Sequence, residues 1–126
     1  MAAQSPETKH WPVELRVKRA KKVLDVEFDD GARFTLPAEL LRVESPSAEV
    51  QGHGPSQKQI VAGKRKVTIT AAEPVGNYAV RLVFDDGHST GIFSWTYLYE
   101  LGERRNELWR DYLAALEARG LSRDSR

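Results

Sequence analysis

The stretch Pro74–Leu98, PVGNYAVRLVFDDGHSTGIFSWTYL, decides the fold. Tyr78, Val80, Leu82 and Phe84 alternate with Ala79, Arg81 and Val83, which predicts a strand with the first set on one face. Asp85-Asp86-Gly87 carries the chemistry of a tight turn, because glycine accepts positive φ and aspartate tolerates tight local bonding. Gly91 then interrupts the chain, and Ser94 can cap a helix that opens with Trp95.

Upstream of this stretch, Lys66–Thr70 reads as a strand with Val67 and Ile69 inward, and Ala71–Asn77 as a connection. Val13, Leu15 and Val17 alternate with Glu14, Arg16 and Lys18 as a half-buried antiparallel strand. Leu24, Val26 and Phe28 form the inner face of the next strand. Asp29-Asp30-Gly31 closes a hairpin, and Arg33–Leu36 returns. Pro37–Arg42 suits one or two helical turns, since proline is accommodated in a first turn and Ala, Glu and Leu favour helix. The glycine-rich segment Gly52–Gly63 reads as a surface loop. The letters FDDG occur twice, at Phe28–Gly31 and Phe84–Gly87, each followed by a short extended piece and a helix start. The economical reading is two hairpin-then-helix units packed together.

Downstream, Leu98, Leu101, Leu108, Trp109, Tyr112, Leu113 and Leu116 recur at helical spacing, with charged residues on the opposite side. Gly102 is a candidate break and Gly120 a candidate end. This helix is expected to cover one face of the sheet. The expected domain is residues 12–120, flanked by a flexible tail at 1–11 and a fraying tail at 121–126.

Composition narrows the function classes. The chain has 126 residues, enough for one packed core, with 40% hydrophobic and 29% charged residues. Its 19 Lys+Arg against 18 Asp+Glu leave a formal charge of +1, which gives no long-range pull toward nucleic acid or an anionic membrane. There is no cysteine, hence no disulfide, no thiolate metal site and no cysteine nucleophile. No apolar run approaches the roughly 20 residues that span a bilayer, and MAAQSPETKH lacks the apolar core of a secretory signal, so a cytoplasmic location is the default expectation.

Few constellations carry chemistry. His88 beside Asp85 and Asp86 can titrate or share a metal, but the same pattern describes a solvated histidine at a hairpin exit. His10, His53 and His88 are not spaced as a local metal motif. The paired aspartates at both DG turns fit local hydrogen bonding better than acid–base catalysis. Ser45 and Ser47 lack a nucleophile elbow. Two basic clusters, Lys18–Lys22 and Lys64–Lys66, read as solvated faces without the interleaved aromatics of an RNA-binding sheet. Phe93, Trp95, Tyr97 and Tyr99 alternate at a helix start, so some of these rings are expected to face outward as a partner-binding spot.

The segments LPAELLRVESPSAEVQGHG (residues 36–54) and GNYAVRLVFDDGHSTGIFSWTYLYEL (residues 76–101) resemble the gamma-butyrobetaine hydroxylase N-terminal-like domain. That domain occurs as small free-standing bacterial proteins of uncharacterised function. It is also the N-terminal domain of gamma-butyrobetaine and trimethyllysine dioxygenases, and a part of some iron–sulfur carrier P-loop ATPases of plastids. In the dioxygenases it is a zinc module with three cysteines, in a C-P-C-x-x-C run, and one histidine. The resemblance implies that the matching positions here are Ser45, Pro46, Ser47 and Val50, with His88 as the surviving ligand. A structural zinc is worth about 10–16 kcal/mol apparent, which one imidazole and serine hydroxyls do not approach. No tight zinc and no cofactor are therefore expected, with His88 the single weak metal candidate. The iron and 2-oxoglutarate chemistry of those enzymes resides in a separate catalytic domain.

These readings converge on an α+β fold: antiparallel, hairpin-built β-sheet packed with a short helix and a C-terminal amphipathic helix. The expected role is a non-catalytic interaction domain. Its contact ridge is expected to comprise Arg42, Ser45, Ser47, Asn77, Asp86, His88 and Trp95, facing a protein partner rather than nucleic acid or membrane. The alternative is a metal or iron–sulfur accessory using His88 and its acidic neighbours.

Overall fold

A computed structural model describes residues 10–52 and 57–124. The described residues form two three-stranded antiparallel sheets and four α-helices, an α+β fold. Strands β1 (Pro12–Lys18), β2 (Val23–Phe28) and β3 (Arg33–Pro37) make the first sheet in the order β1-β2-β3. Helices α1 (Ala38–Val43) and α2 (Ala48–Gln51) follow. Strands β4 (Ile69–Val75), β5 (Ala79–Phe84) and β6 (Ile92–Ser94) make the second sheet in the order β4-β5-β6. Helices α3 (Trp95–Glu103) and α4 (Arg105–Ala118) complete the chain.

Leu24, Val26, Phe28 and Leu36 from the first sheet meet Ile69, Val80, Leu82, Phe84 and Phe93 from the second in one core, closed by Leu41 of α1 and by Leu98 and Leu101 of α3. The hairpin reading of this core holds, and so does the Ser94 cap, whose Oγ accepts from the Tyr97 N–H at 3.1 Å. The outer face of the first sheet carries Glu14, Arg16, Asp25, Glu27 and Arg33, as strand alternation requires.

The FDDG echo is structural. In both turns the glycine has positive φ, +90° at Gly31 and +93° at Gly87. Its N–H donates to the phenylalanine carbonyl, at 3.0 Å in one turn and 3.1 Å in the other. In both, the second aspartate accepts from the N–H two residues on: Asp30 from Ala32 at 2.9 Å, Asp86 from His88 at 3.0 Å. In both, the first aspartate exchanges hydrogen bonds with the residue entering the unit's first strand, Trp11 with Asp29 and Thr68 with Asp85. The first strand of each unit carries a register irregularity one residue further in, at Pro12/Glu14 and Ile69/Ala71. Three strands and a helix therefore occur twice, as β1-β2-β3-α1 and β4-β5-β6-α3.

The two units clamp each other. Arg42, the fifth residue of α1, donates through Nε to Asp86 Oδ2 at 2.7 Å. Tyr99, the fifth residue of α3, donates its hydroxyl to Asp30 Oδ2 at 2.6 Å. Each helix thus grips the acidic turn of the other unit.

Several expectations are corrected. Val13 is 61% exposed because the irregularity in β1 shifts the alternation at that point. The strand expected at 66–70 begins at Ile69 and runs through Ala71–Val75, the segment read as a connection; Pro74 is tolerated because β4 is an edge strand. Tyr78 lies outside β5 and is exposed. The C-terminal helix is broken at Arg104, two residues from the expected site. α3 covers the sheets and Leu108 of α4 reaches the same core, while α4 otherwise packs Tyr112 and Leu116 against Val43, Ile60 and Val61 in a second small core and leaves Leu113 exposed. At the expected tails, residues 1–9 and 125–126 lie outside the described residues. His10 stacks on Tyr99 at 3.6 Å between ring centroids, and Ser122 and Arg123 accept from the N–H groups of Gly63 and Arg65 at 2.9 and 3.0 Å. The expected loop 52–63 is described only outside 53–56, so the notice of His53 also falls outside.

A Cβ at Gly102 would overlap the Phe34 ring, which lies flat on the helix there. Gly102→Ala gains about 1 kcal/mol of helix propensity but overpacks a core contact by about 1–3 kcal/mol. The expected outcome is net destabilisation, seen as a lower urea midpoint, and relief of the loss when Phe34→Leu is added.

Candidate functional site

Helix α1 ends at Val43 and the chain turns inward, placing Ser45 and Ser47 beneath the turn that carries His88. Ser45 Oγ lies 3.0 Å from His88 Nε2, and Ser47 Oγ lies 3.4 Å from the same atom. Ser45 Oγ also accepts from the Ser47 N–H at 3.3 Å, and Gln51 donates to the Ser45 carbonyl at 2.9 Å. His88 is only 8% exposed and both serines are buried. Val50, one turn further in α2, is buried as well.

A charged layer covers this polar nest. Asp86 Oδ2 receives Arg42 at 2.7 Å and Lys64 at 2.6 Å, while its Oδ1 holds the His88 N–H. Burial pushes the Asp86 carboxyl up, but the hydrogen bonds from Lys64, the His88 N–H and Arg42 outweigh it and bring it down to about 2. Burial, and then the Arg42 charge, pull His88 below its ordinary value against the opposing pull of Glu49 and Asp86. The imidazole is therefore held neutral, able to accept from one serine hydroxyl.

Gly91 makes the nest fit. A Cβ there would overlap Ser45 Oγ and crowd the Phe93 ring at 3.2 Å. At the matching junction, between β3 of the first unit and α3 of the second, Phe34 lies on Gly102. One junction between the units is thus filled by an aromatic ring, and the other keeps a glycine and a polar cluster.

The expected ridge divides in two. Arg42, Ser45, Ser47, Asp86 and His88 come together. Asn77 and Trp95 lie at the opposite end of β5, which at about 3.3 Å per residue is about 17 Å away. There the Trp95 indole N–H donates to the Asn77 carbonyl at 2.9 Å and its backbone N–H to Tyr78 at 3.1 Å. The expected outward-facing aromatic rings are also redistributed. Phe93 is fully buried, and Trp95, Tyr97 and Tyr99 pack on the core. Tyr97 and Tyr99 bond their hydroxyls to Glu44 and Asp30, at 2.5 and 2.6 Å. Tyr78 and Ile92 are the exposed apolar side chains of this region. Lys64 was missed as a member of the nest; it was read with its basic neighbours as a solvated face, and no local pattern distinguishes the one lysine that folds back.

The family model for the gamma-butyrobetaine hydroxylase-like N-terminal domain matches residues 15–99. The chain belongs to that family. Two structures determined in solution by NMR are similar to this family member throughout. One is 48% identical, with 91% of this chain and 90% of that one covered and a TM-score of 0.79. The other is 50% identical, covering 98% and 90%, with a TM-score of 0.80. A crystal structure from Acidithiobacillus ferrooxidans, described as a protein of unknown function in the DUF971 family, is 44% identical over 72% of this chain and 91% of that one, with a TM-score of 0.62. No curated protein matches the chain significantly.

The zinc implied by the dioxygenase relatives does not suit the residues in place. Serine hydroxyls stay protonated at neutral pH, valine offers no lone pair, and the nearby Asp86 carboxylate is already neutralised by two cations. Among the described residues, no three His, Cys, Asp or Glu side chains converge.

Two outcomes are expected. Because the folded-state pKa of His88 is depressed, the neutral form contributes stability that is present above its unfolded value of 6.5 and lost as pH falls below it. Thermal melts between pH 7 and 5 should show a loss for the wild type that His88→Gln flattens. Asp86 follows the same sign at lower pH: its contribution is present above 3.8 and disappears as pH falls toward 2, so Asp86→Asn should remove that part of the acid-unfolding curve.

Proposed function

We propose that this domain is a non-catalytic interaction module. The observation that supports this reading is the burial of the serine–histidine pairing present among the described residues: a nucleophile sealed beneath the Arg42–Lys64–Asp86 layer has no route to a substrate. On this reading the nest fixes the relation between α1 and the β5–β6 hairpin, and contact is made elsewhere. The surface best suited to it is the end of the second sheet, where Tyr78, 51% exposed, stands beside the hydrogen-bonded Trp95–Asn77 pair. An amphipathic ring on a pre-ordered turn adds contact area at small entropic cost. The metal-accessory reading has no comparable support, because the acidic groups near His88 are engaged: Asp86 with Arg42 and Lys64, Asp85 with Thr68, Glu49 with Thr90.

The test is affinity capture from the native host with wild type, Tyr78→Ala/Trp95→Ala and the surface control Lys21→Ala. A discrete partner retained by wild type and control, and reduced about tenfold or more by the aromatic pair variant, is the expected result. Equal recovery by the folded pair variant would count against this surface.

A further inference from the structure

Glu39 projects from the first turn of α1 and its side chain is only 6% exposed. A carboxylate so withdrawn from water needs a cation with good geometry. It receives one from far along the chain. Arg123 donates through Nε to Oε2 at 2.9 Å and through Nη2 to Oε1 at 2.7 Å, a two-pronged guanidinium–carboxylate pair. The same guanidinium lies 4.9 Å from the centroid of the Trp109 ring, on α4. Beside it opens a recess of about 260 Å³, walled by Pro37, Leu40, Arg105 and Asn106.

The two sides of this contact differ in how they are held. Glu39 and Trp109 stand on helices, and Trp109 is part of the small core with Tyr112 and Leu116. Arg123 stands on a segment that ends the described chain. That segment is tied by backbone hydrogen bonds at Leu121, whose N–H donates to Leu116, and at Ser122 and Arg123, which accept from Gly63 and Arg65, and by an exposed Arg65–Asp124 pair. Its neighbours Leu121 and Ser122 are exposed. A receptor built on helices and a ligand presented on a segment outside helix and strand are the arrangement of an exchangeable intramolecular contact.

We propose that Glu39 and Trp109 form a receptor for an arginine side chain, filled in cis by Arg123, and that an arginine-bearing peptide of a partner protein takes its place. This surface is separate from the aromatic end of the second sheet, and its test does not depend on that reading. Guanidinium is specified over ammonium because both carboxylate oxygens are engaged by a planar fork that also stacks on the indole. A tethered ligand competes at an effective concentration on the order of millimolar, so free ligands are expected to bind measurably better once the tether is removed.

The experiment uses the full chain with Arg123→Ala, titrated with N-acetyl-argininamide and with N-acetyl-lysinamide while the Trp109 indole N–H is followed by NMR. A saturable shift with the arginine compound, about tenfold or more weaker in the wild type and for the lysine compound, is expected, together with a raised melting temperature of the variant. Glu39→Gln/Arg123→Ala should lose the response. Absence of a saturable shift in folded Arg123→Ala, or an unchanged shift in the double variant, overturns the proposal. Should Arg123→Ala not fold, Arg123→Lys keeps the charge and loses the fork. The arginine compound must then displace the strap, read at the Gly63 and Arg65 amides, and failure to do so at concentrations that saturate an exposed carboxylate overturns it equally.

Discussion

The fold depends on a reciprocal grip. Each acidic turn presents one aspartate whose inner oxygen completes its own turn and whose outer oxygen is taken by the helix of the other unit, Arg42 on Asp86 and Tyr99 on Asp30. Each turn therefore has a partner in the other unit. Three-stranded sheets of this size are marginal by themselves, and the grip brings their inner faces together so that Phe28, Leu36, Leu82, Phe84 and Phe93 share one core. The two clamps differ in strength. Tyr99 offers a neutral donor at the surface, reinforced by the His10 ring stacked on it. Arg42 and Lys64 offer two charges in a mostly buried place, and they depress Asp86 well below an ordinary carboxylate despite its burial.

The asymmetry between the units is where the candidate site arises. At one corner Phe34 presses on Gly102 and the space is filled with aromatic carbon. At the other, Gly91 leaves room for Ser45, and the histidine that follows the second turn reaches Ser45 and Ser47. Alanine follows the first turn at the matching place, and Ala32 has nothing to offer there beyond its backbone. Two buried hydroxyls share the Nε2 atom of a neutral imidazole, the kind of pairing that lets such groups stay in an interior.

Much of this was legible from residues alone. The alternation of Leu24, Val26 and Phe28, the DG turns, the Ser94 cap and the break near Gly102 are local signals, and local chemistry decides them. The convergence of Arg42, Ser45, Ser47, Asp86 and His88 was legible through family resemblance, since nothing in their spacing brings positions forty residues apart together. What could not be read depends on the third dimension. A one-residue irregularity in β1 exposes Val13 without altering the letters around it. Ala71–Val75 looks like a connection because glutamate and proline are disfavoured in a central strand, and β4 is an edge. Asn77 and Trp95 fall away from His88 because the length of β5 separates them, which no local pattern states. The segment after Gly120, polar and short, carries no sign that Arg123 meets a carboxylate eighty-four positions earlier.

The glycine at position 91 has a wider meaning. With an aromatic ring filling one junction between the units, the polar junction is relieved of that duty. Substitutions among its buried side chains therefore act on what the corner holds more than on the core that the two sheets share.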